Sequence, residues 1–499
     1  METATLTRSG KAREPGRNAV AARMRGLPWP LLALAALSIA TLIGFLVYPT
    51  YPNYDSYYSL LWGREVLHGT LPSFDAYRAP TEHPLAIVFG ALVSLLGDTG
   101  DRVMVFATLA SFVVLAAGLY RLARASFGTV VGLVAAGLAC TRFDFPFLAA
   151  RAYVDIPYLA FVIWAAALEA EQRRRGRPVL LLLAAAGLMR PEAWLLAGLY
   201  FLWIAVPASW PQRLRYALLA VIGPVTWAVV DLIVTGDPKF SLTHTSGLAE
   251  ELGRTKGLSQ VPSATYNFLV NLDKLPVFAA GMLGIALAIV LAPRRVRMPL
   301  VMLVIGVGTF FLVGLAGLSV IDRYLLVPSL MVMVFAAVSL AGWSMLRAGS
   351  RVRRVWAVAA VLLVGYGVAF TLTHVKFSVF DQELRFRGDS HQSLRFLLAQ
   401  PAVQRARRCG PVLTPNHKLI PDVRWLLKAG VNDVVARSDP AQRARIGRGV
   451  AIVPVDRLSL LRQGFTVGTE TPADTADAVP PPGFQRLATA RYYSAYVRC

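Results

Sequence analysis

Between Trp29 and Leu372 the chain is a succession of long apolar runs, and the loops joining them are basic at every second turn. An apolar run of about 20 residues crosses the roughly 30 Å of a bilayer core as a helix, because every backbone group then bonds within the segment. Lysine and arginine collect in cytoplasmic loops. Arg121 with Arg124, Arg173 to Arg177, Arg213 with Arg215, Arg294 to Arg297 and Arg347 to Arg354 all fall in loops that strict alternation assigns to the cytoplasm. A miscounted span would have broken that pattern partway along. The expectation is a mainly α, polytopic helical membrane protein of about eleven spans.

The same reading divides the chain. Residues 1–27 are basic and aperiodic, which predicts a disordered cytoplasmic tail followed by a retained anchor from Trp29 to Tyr48. Residues 28–374 form the membrane domain, with a first outer loop over 49–100 and an interfacial helix near Leu85 to Leu96 that is too short to span. From Val375 to Cys499 the apolar runs stop. Short runs such as GPVLTP, DVVAR and GVAIVPVD alternate with a helical pattern in PDVRWLLKAG, predicting a small α/β extracytoplasmic domain. A Pro-rich stretch from Thr469 to Gly483 reads as a loop, and Cys409 with Cys499 are the tail's only pair for a disulfide. Hydrophobic residues are 56% of the 499 and charged residues 16%, so the net charge of +22 reflects topology and nucleic acid is excluded as a partner.

Burial alone does not explain the stretch Tyr51 to Leu85, where acids, bases and aromatic rings follow directly on the first apolar run. Asp55 lies between Tyr54 and Tyr57, where partial desolvation suits a carboxylate to accept a proton, although a solvated loop acid or a helix cap fits as well. Asp155 precedes Pro157 at the head of an apolar run, a position that the helix dipole favours for an acid and that suits capping. Alternation puts Arg151, Arg190, Glu192, Asp322 and Arg323 on the same membrane face. Arginines beside carboxylates can hold a phosphate while a carboxylate takes a proton, or can simply pair with one another. Glu82 and His83 could hydrogen-bond a phosphate or take part in holding a divalent cation, but two residues do not make a metal site. His244 in the long loop after the seventh run has the same two readings. No cofactor is implied.

The order of Asp, Tyr, helix, Pro, Asp and His-Pro-Leu in DSYYSLLWGREVLHGTLPSFDAYRAPTEHPL resembles the first outer loop of the GT-C superfamily, the polyprenyl-phosphate-sugar-dependent glycosyltransferases. RAYVDIP, LMRPEAW and DRYLLVP follow in the order that family has. The resemblance covers about residues 28 to 374 and implies an integral-membrane inverting transferase. Its donor would be a sugar on a polyprenyl phosphate. Its acceptor would be a hydroxyl of an extracytoplasmic glycan, lipid or protein. By that resemblance Asp55 is the catalytic carboxylate near the acceptor and Asp155 the second-loop acid. Arg323 with Tyr324 then meets the donor phosphate. Arg151, Arg190, Glu82 and His83, read from the residues themselves, are further candidates for substrate binding. Asp-Ser in place of Asp-Glu, and His-Pro-Leu in place of Pro-Pro, separate the chain from the protein-mannosyltransferase pattern. Two other classes fit a polytopic chain: a transporter or lipid flippase, with the charges lining a path, and a non-catalytic scaffold of cell-wall assembly.

The basic loops generate a direct prediction about topology. A periplasm-type reporter fused after Leu372 should be active only outside the cell, and one fused between Arg173 and Arg177 only inside; the reverse pattern would invert the whole assignment.

Overall fold

The structure is a computed structural model that describes residues 28–254, 256–374, 377–443, 446–462 and 479–499. The expected N-terminal tail and most of the Thr469 to Gly483 loop lie outside the described residues. All of the apolar runs are helical. In chain order the first helices are α1 (Trp29–Val47), α2 (Tyr54–Leu67), α3 (Pro84–Ser94), α4 (Gly100–Phe127), α5 (Thr129–Thr141), α6 (Asp144–Ala150) and α7 (Asp155–Glu171). They continue with α8 (Arg177–Gly187), α9 (Glu192–Ala205), α10 (Trp210–Thr235), α11 (Phe240–Glu251), α12 (Val261–Asp273), α13 (Leu275–Leu291), α14 (Arg297–Leu315), α15 (Leu326–Ala341) and α16 (Arg351–His374).

Among the described residues, six helical segments have the length and apolarity to cross a membrane, or up to eight if each of two bent pairs crosses as one. This is fewer than the runs of apolar sequence suggest. Three expected spans fall outside this count: α7, α8 and α9 have 17, 11 and 14 residues, and at about 1.5 Å per residue they reach only about 26, 17 and 21 Å of a roughly 30 Å core.

Helix α15 is the axis of the bundle, buried along its whole length from Leu326 to Ser339. Helix α13 can lie against it because Gly284 has no side chain: a Cβ there would come within 1.8 Å of the Phe335 carbonyl oxygen. Small residues let backbones approach in lipid, where apolar side chains gain little from leaving the solvent. A second close crossing fixes the segment that carries Asp55. Helix α2 crosses α3 at Gly63 and Gly90, and a Cβ on Gly90 would sit 2.3 Å from the Ser59 carbonyl oxygen. The other face of α2 buries Tyr57, Tyr58, Leu61 and Trp62.

The tail opens with α17 (Phe377–Ala399) and α18 (Pro401–Ala406), and α19 (Ile420–Leu427) follows β1. Its strands β1 (Val412–Thr414), β2 (Val434–Ala436), β3 (Gly449–Pro454), β4 (Gln485–Thr489) and β5 (Tyr493–Arg498) form one sheet in the order β2-β1-β3-β5-β4. The three runs singled out in the sequence are thus β1, β2 and β3. They pair in parallel, Val412 standing opposite both Val434 and Val450, while β5 runs antiparallel to β3 and β4. Cys409 and Cys499, 90 residues apart, are joined by a disulfide that ties the end of β5 to the segment before β1.

Helix α19 docks on α2. Arg424, 1% exposed, pairs with Glu65 at 2.5 Å, and Arg64 donates to the Arg424 carbonyl oxygen at 3.3 Å. The tail is therefore fastened to the segment that starts at Asp55.

Gly90→Val should destabilise the protein by about 1–3 kcal/mol or more, because the added atoms meet backbone that cannot rotate away. Thermal unfolding of the full chain in detergent measures this, and an unchanged midpoint would contradict the crossing.

Candidate active site

Several local devices bring distant loops together. Asn53 caps α2 by accepting from the Ser56 amide at 2.8 Å, which puts Asp55 in the first turn, and its own amide donates to the Arg151 carbonyl at 2.8 Å. Leu85 donates to the Leu188 carbonyl at 3.1 Å. The turns before α2, α3, α7 and α9 thus converge, and Arg323 arrives from the turn before α15.

They surround a cavity of about 700 Å³. Asp55 lines it with one-fifth of its side chain exposed, and Arg323 pairs with Asp55 and with Asp155, each at 3.4 Å. Asp155 is fully buried behind that wall and also pairs closely with Arg190. Arg190 in turn pairs with Glu192 at 2.7 Å and lies over the Tyr324 ring at 5.1 Å. One ion network therefore joins Asp55, Arg323, Asp155, Arg190 and Glu192.

Asp155 departs from the capping expectation. It is the first residue of α7, the helix-terminal position expected of it, but the cap position itself is Val154 and the Asp155 carboxylate is taken up by two guanidinium groups. Charge pairing in a dry site outweighs a cap worth about 0.5–2 kcal/mol.

His83, Arg151, Arg190 and Tyr324 also line the cavity. Burial pushes the His83 pKa down to about 4, so its ring is neutral near pH 7, with Asp55 and Arg323 among its electrostatic neighbours. Glu82 is buried beside the cavity, its carboxylate oxygens make no close hydrogen bond among the described residues, and burial pushes its pKa up to about 7. His244 is occupied elsewhere, its Nε2 lying 3.0 Å from the Ala79 carbonyl oxygen. Among the described residues no group of three or more His, Cys, Asp or Glu side chains could hold a metal ion.

Sequence reasoning missed the tail's share of this wall. Arg387 of α17, and His417, Lys418 and Asp422 around the start of α19, line the same cavity. A signal existed: Pro415 to Lys418 is the loop leaving the C-terminal end of the parallel strand β1, where α/β sheets present their ligands. Arg254, from the loop after α11, was missed as well.

No protein-family model matches the sequence, and a search of curated proteins gives no significant match. Solved structures do match. ArnT from Cupriavidus metallidurans bound to undecaprenyl phosphate superposes with a TM-score of 0.55 at 13% identity, covering 94% of this chain and 97% of that one. The Archaeoglobus fulgidus oligosaccharyltransferase in its apo form gives a TM-score of 0.50 at 12% identity, over 93% of this chain and 74% of that one. The fold is that of the GT-C glycosyltransferases. The family resemblance read from the loops is thus borne out at the level of architecture, and the chain is a multi-pass membrane protein of the GT-C fold with a small C-terminal sheet domain.

A titrating contact joins the two parts of the chain. His391 of α17 is buried 3.7 Å from Asp101 at the head of α4 and 3.7 Å from Asp422 of the tail. Its Nε2 lies 3.3 Å from the Tyr57 hydroxyl, and Arg395 pairs with the same Asp101 at 3.6 Å. Burial works against the imidazolium, but the two carboxylates outweigh it and raise the His391 pKa above its ordinary 6.5. A raised folded-state pKa contributes stability that is fully present below the unfolded value and is lost as pH rises through the folded one. Thermal stability of the full chain should therefore fall across that window above pH 6.5. His391→Gln should flatten this part of the pH profile, which thermal scans across a pH series would detect.

Proposed function

We propose that this chain is an inverting glycosyltransferase that moves a sugar from a polyprenyl phosphate to a hydroxyl of an extracytoplasmic acceptor, a cell-envelope glycan, lipid or protein. The observation that carries this reading is the Asp55–Arg323 contact on the cavity wall, a proton acceptor beside a guanidinium at 3.4 Å. Asp55 takes the proton from the acceptor hydroxyl. The acceptor oxygen bonds to the anomeric carbon as the bond from that carbon to the phosphate oxygen breaks, and the electron pair leaves on the phosphate. Arg323 neutralises the charge that develops there, with Arg254 as a second cation on the same wall.

Arg323 holds Asp55 as an ion pair. An arriving phosphate competes for the guanidinium and releases the carboxylate to act as a base, so donor binding prepares the base. Asp155 is engaged by Arg190 and Arg323 and orients them rather than reacting. In this direct displacement Asp55 acts as a base and not as a nucleophile, so the anomeric carbon inverts. A lipid-linked donor fits an outer site, where nucleotide sugars are lacking. Support for the donor class also comes from the undecaprenyl phosphate bound to the structurally similar ArnT.

Three variants separate the roles when assayed in membranes with a polyprenyl-phosphate sugar at matched protein levels. Asp55→Asn should lower kcat roughly 10²- to 10⁴-fold with the fold intact. Arg323→Ala should raise the KM for the donor and lower kcat as well. Asp155→Asn strips a buried charge from two guanidinium groups and should cost about 3–5 kcal/mol of stability. Near-normal transfer by Asp55→Asn would overturn the assignment of the base.

A further inference from the structure

Arg151 is in an unusual state for a buried guanidinium. It is 7% exposed, lines the cavity, and among the described residues has no carboxylate within ion-pair distance. Among the described residues its Nε and Nη1 have no hydrogen-bond partner, and Nη2 makes a single long 3.5 Å bond to the Pro52 carbonyl oxygen. Its one close support is the Tyr51 ring, 4.4 Å away. A buried charge without a counter-charge is costly and calls for an explanation. Arg190 and Arg323 each hold two carboxylates and have none to lend.

A second cation comes to the same place from the tail. Helix α17 packs its Gly388 on Pro49, where a Cβ would be 3.1 Å from the ring, and this seats Arg387 on the cavity wall with the Tyr51 and Tyr153 phenols as electrostatic neighbours. Arg387 commits its Nε to Glu383 at 2.8 Å, which leaves its Nη groups for a ligand.

We propose that Arg151 and Arg387 form a second anion subsite, distinct in its partners from the Arg323 centre, which holds a phosphate or carboxylate group of the bound substrates while the donor's reacting phosphate sits at Arg323. The proposal rests on the transferase reading and adds a substrate class to it: donor and acceptor together carry two anionic groups into the cavity. The second can belong to a diphosphate carrier or to the acceptor, and the chemistry of recognition is the same.

The test uses the full chain in lipid nanodiscs, with undecaprenyl phosphate, undecaprenyl diphosphate, and inorganic phosphate titrated onto protein saturated with the monophosphate. If the carrier supplies the second anion, the diphosphate binds about tenfold or more tighter than the monophosphate. If the acceptor supplies it, the two carriers bind alike and inorganic phosphate binds the saturated protein. In either case Arg151→Gln and Arg387→Gln should each remove about tenfold of that affinity while monophosphate binding changes by less than about threefold. Arg387 is partly exposed, so its variant decides the matter should Arg151→Gln fail to fold. The proposal is overturned if neither arm detects a second anion, if both variants bind as the wild type does, or if they lose monophosphate in equal measure. Failure of wild-type protein to bind the monophosphate, with phosphate binding still dependent on Arg151, would sink the donor reading and leave the subsite standing.

Discussion

The carboxylate of Asp155 is the contact on which the rest of the site depends. It is fully buried and takes two guanidinium groups, Arg190 from the turn before α9 and Arg323 from the turn before α15. Two guanidinium groups around a single carboxylate leave an excess of positive charge, which Asp55 and Glu192 at the flanks more than offset. Breaking such a pair costs several kcal/mol because it strands a charge, whereas replacing the whole set with apolar groups need not. The network is thus better understood as a device for holding Arg323 and Asp55 in register across three loops than as a source of net stability.

Register also depends on the tail. Glu65, ten residues after Asp55, meets Arg424 in a nearly dry contact, and His391 lies between Asp101 of the membrane domain and Asp422 of the tail. Arg387, His417 and Lys418 then reach the cavity from above α2. The tail forms part of the cavity wall, so its position affects the size and charge of the space open to a substrate. The disulfide from Cys409 to Cys499 closes this domain on itself, and the docking uses charge, aromatic and apolar contacts.

Much of this was legible in the sequence, because hydropathy reports burial in lipid directly. The same argument gathered Asp55, Arg151, Asp155, Arg190 and Arg323 on one face, where the structure also brings them together. The number of long spans was not legible: a run such as Val179 to Leu188 reads alike whether it crosses the bilayer or stops short. The fate of Asp155 was hidden for another reason. A cap depends on local sequence, but Arg190 and Arg323 lie 35 and 168 residues away and only tertiary folding presents them. Arg387 and Lys418 were missed because nothing in a soluble tail marks which of its many cations faces a membrane domain.

The central claim is that the lipid phosphate enters the 700 Å³ cavity and takes Arg323 from Asp55. The most direct measurement is an electron cryomicroscopy structure of the full chain in nanodiscs with undecaprenyl phosphate. The account predicts a phosphate oxygen about 2.7–2.9 Å from the Arg323 guanidinium, Asp155 still holding Arg190, and Asp55 released from its ion pair and facing open space. A phosphate bound outside this cavity, with Arg323 still bridging Asp55 and Asp155, would contradict it.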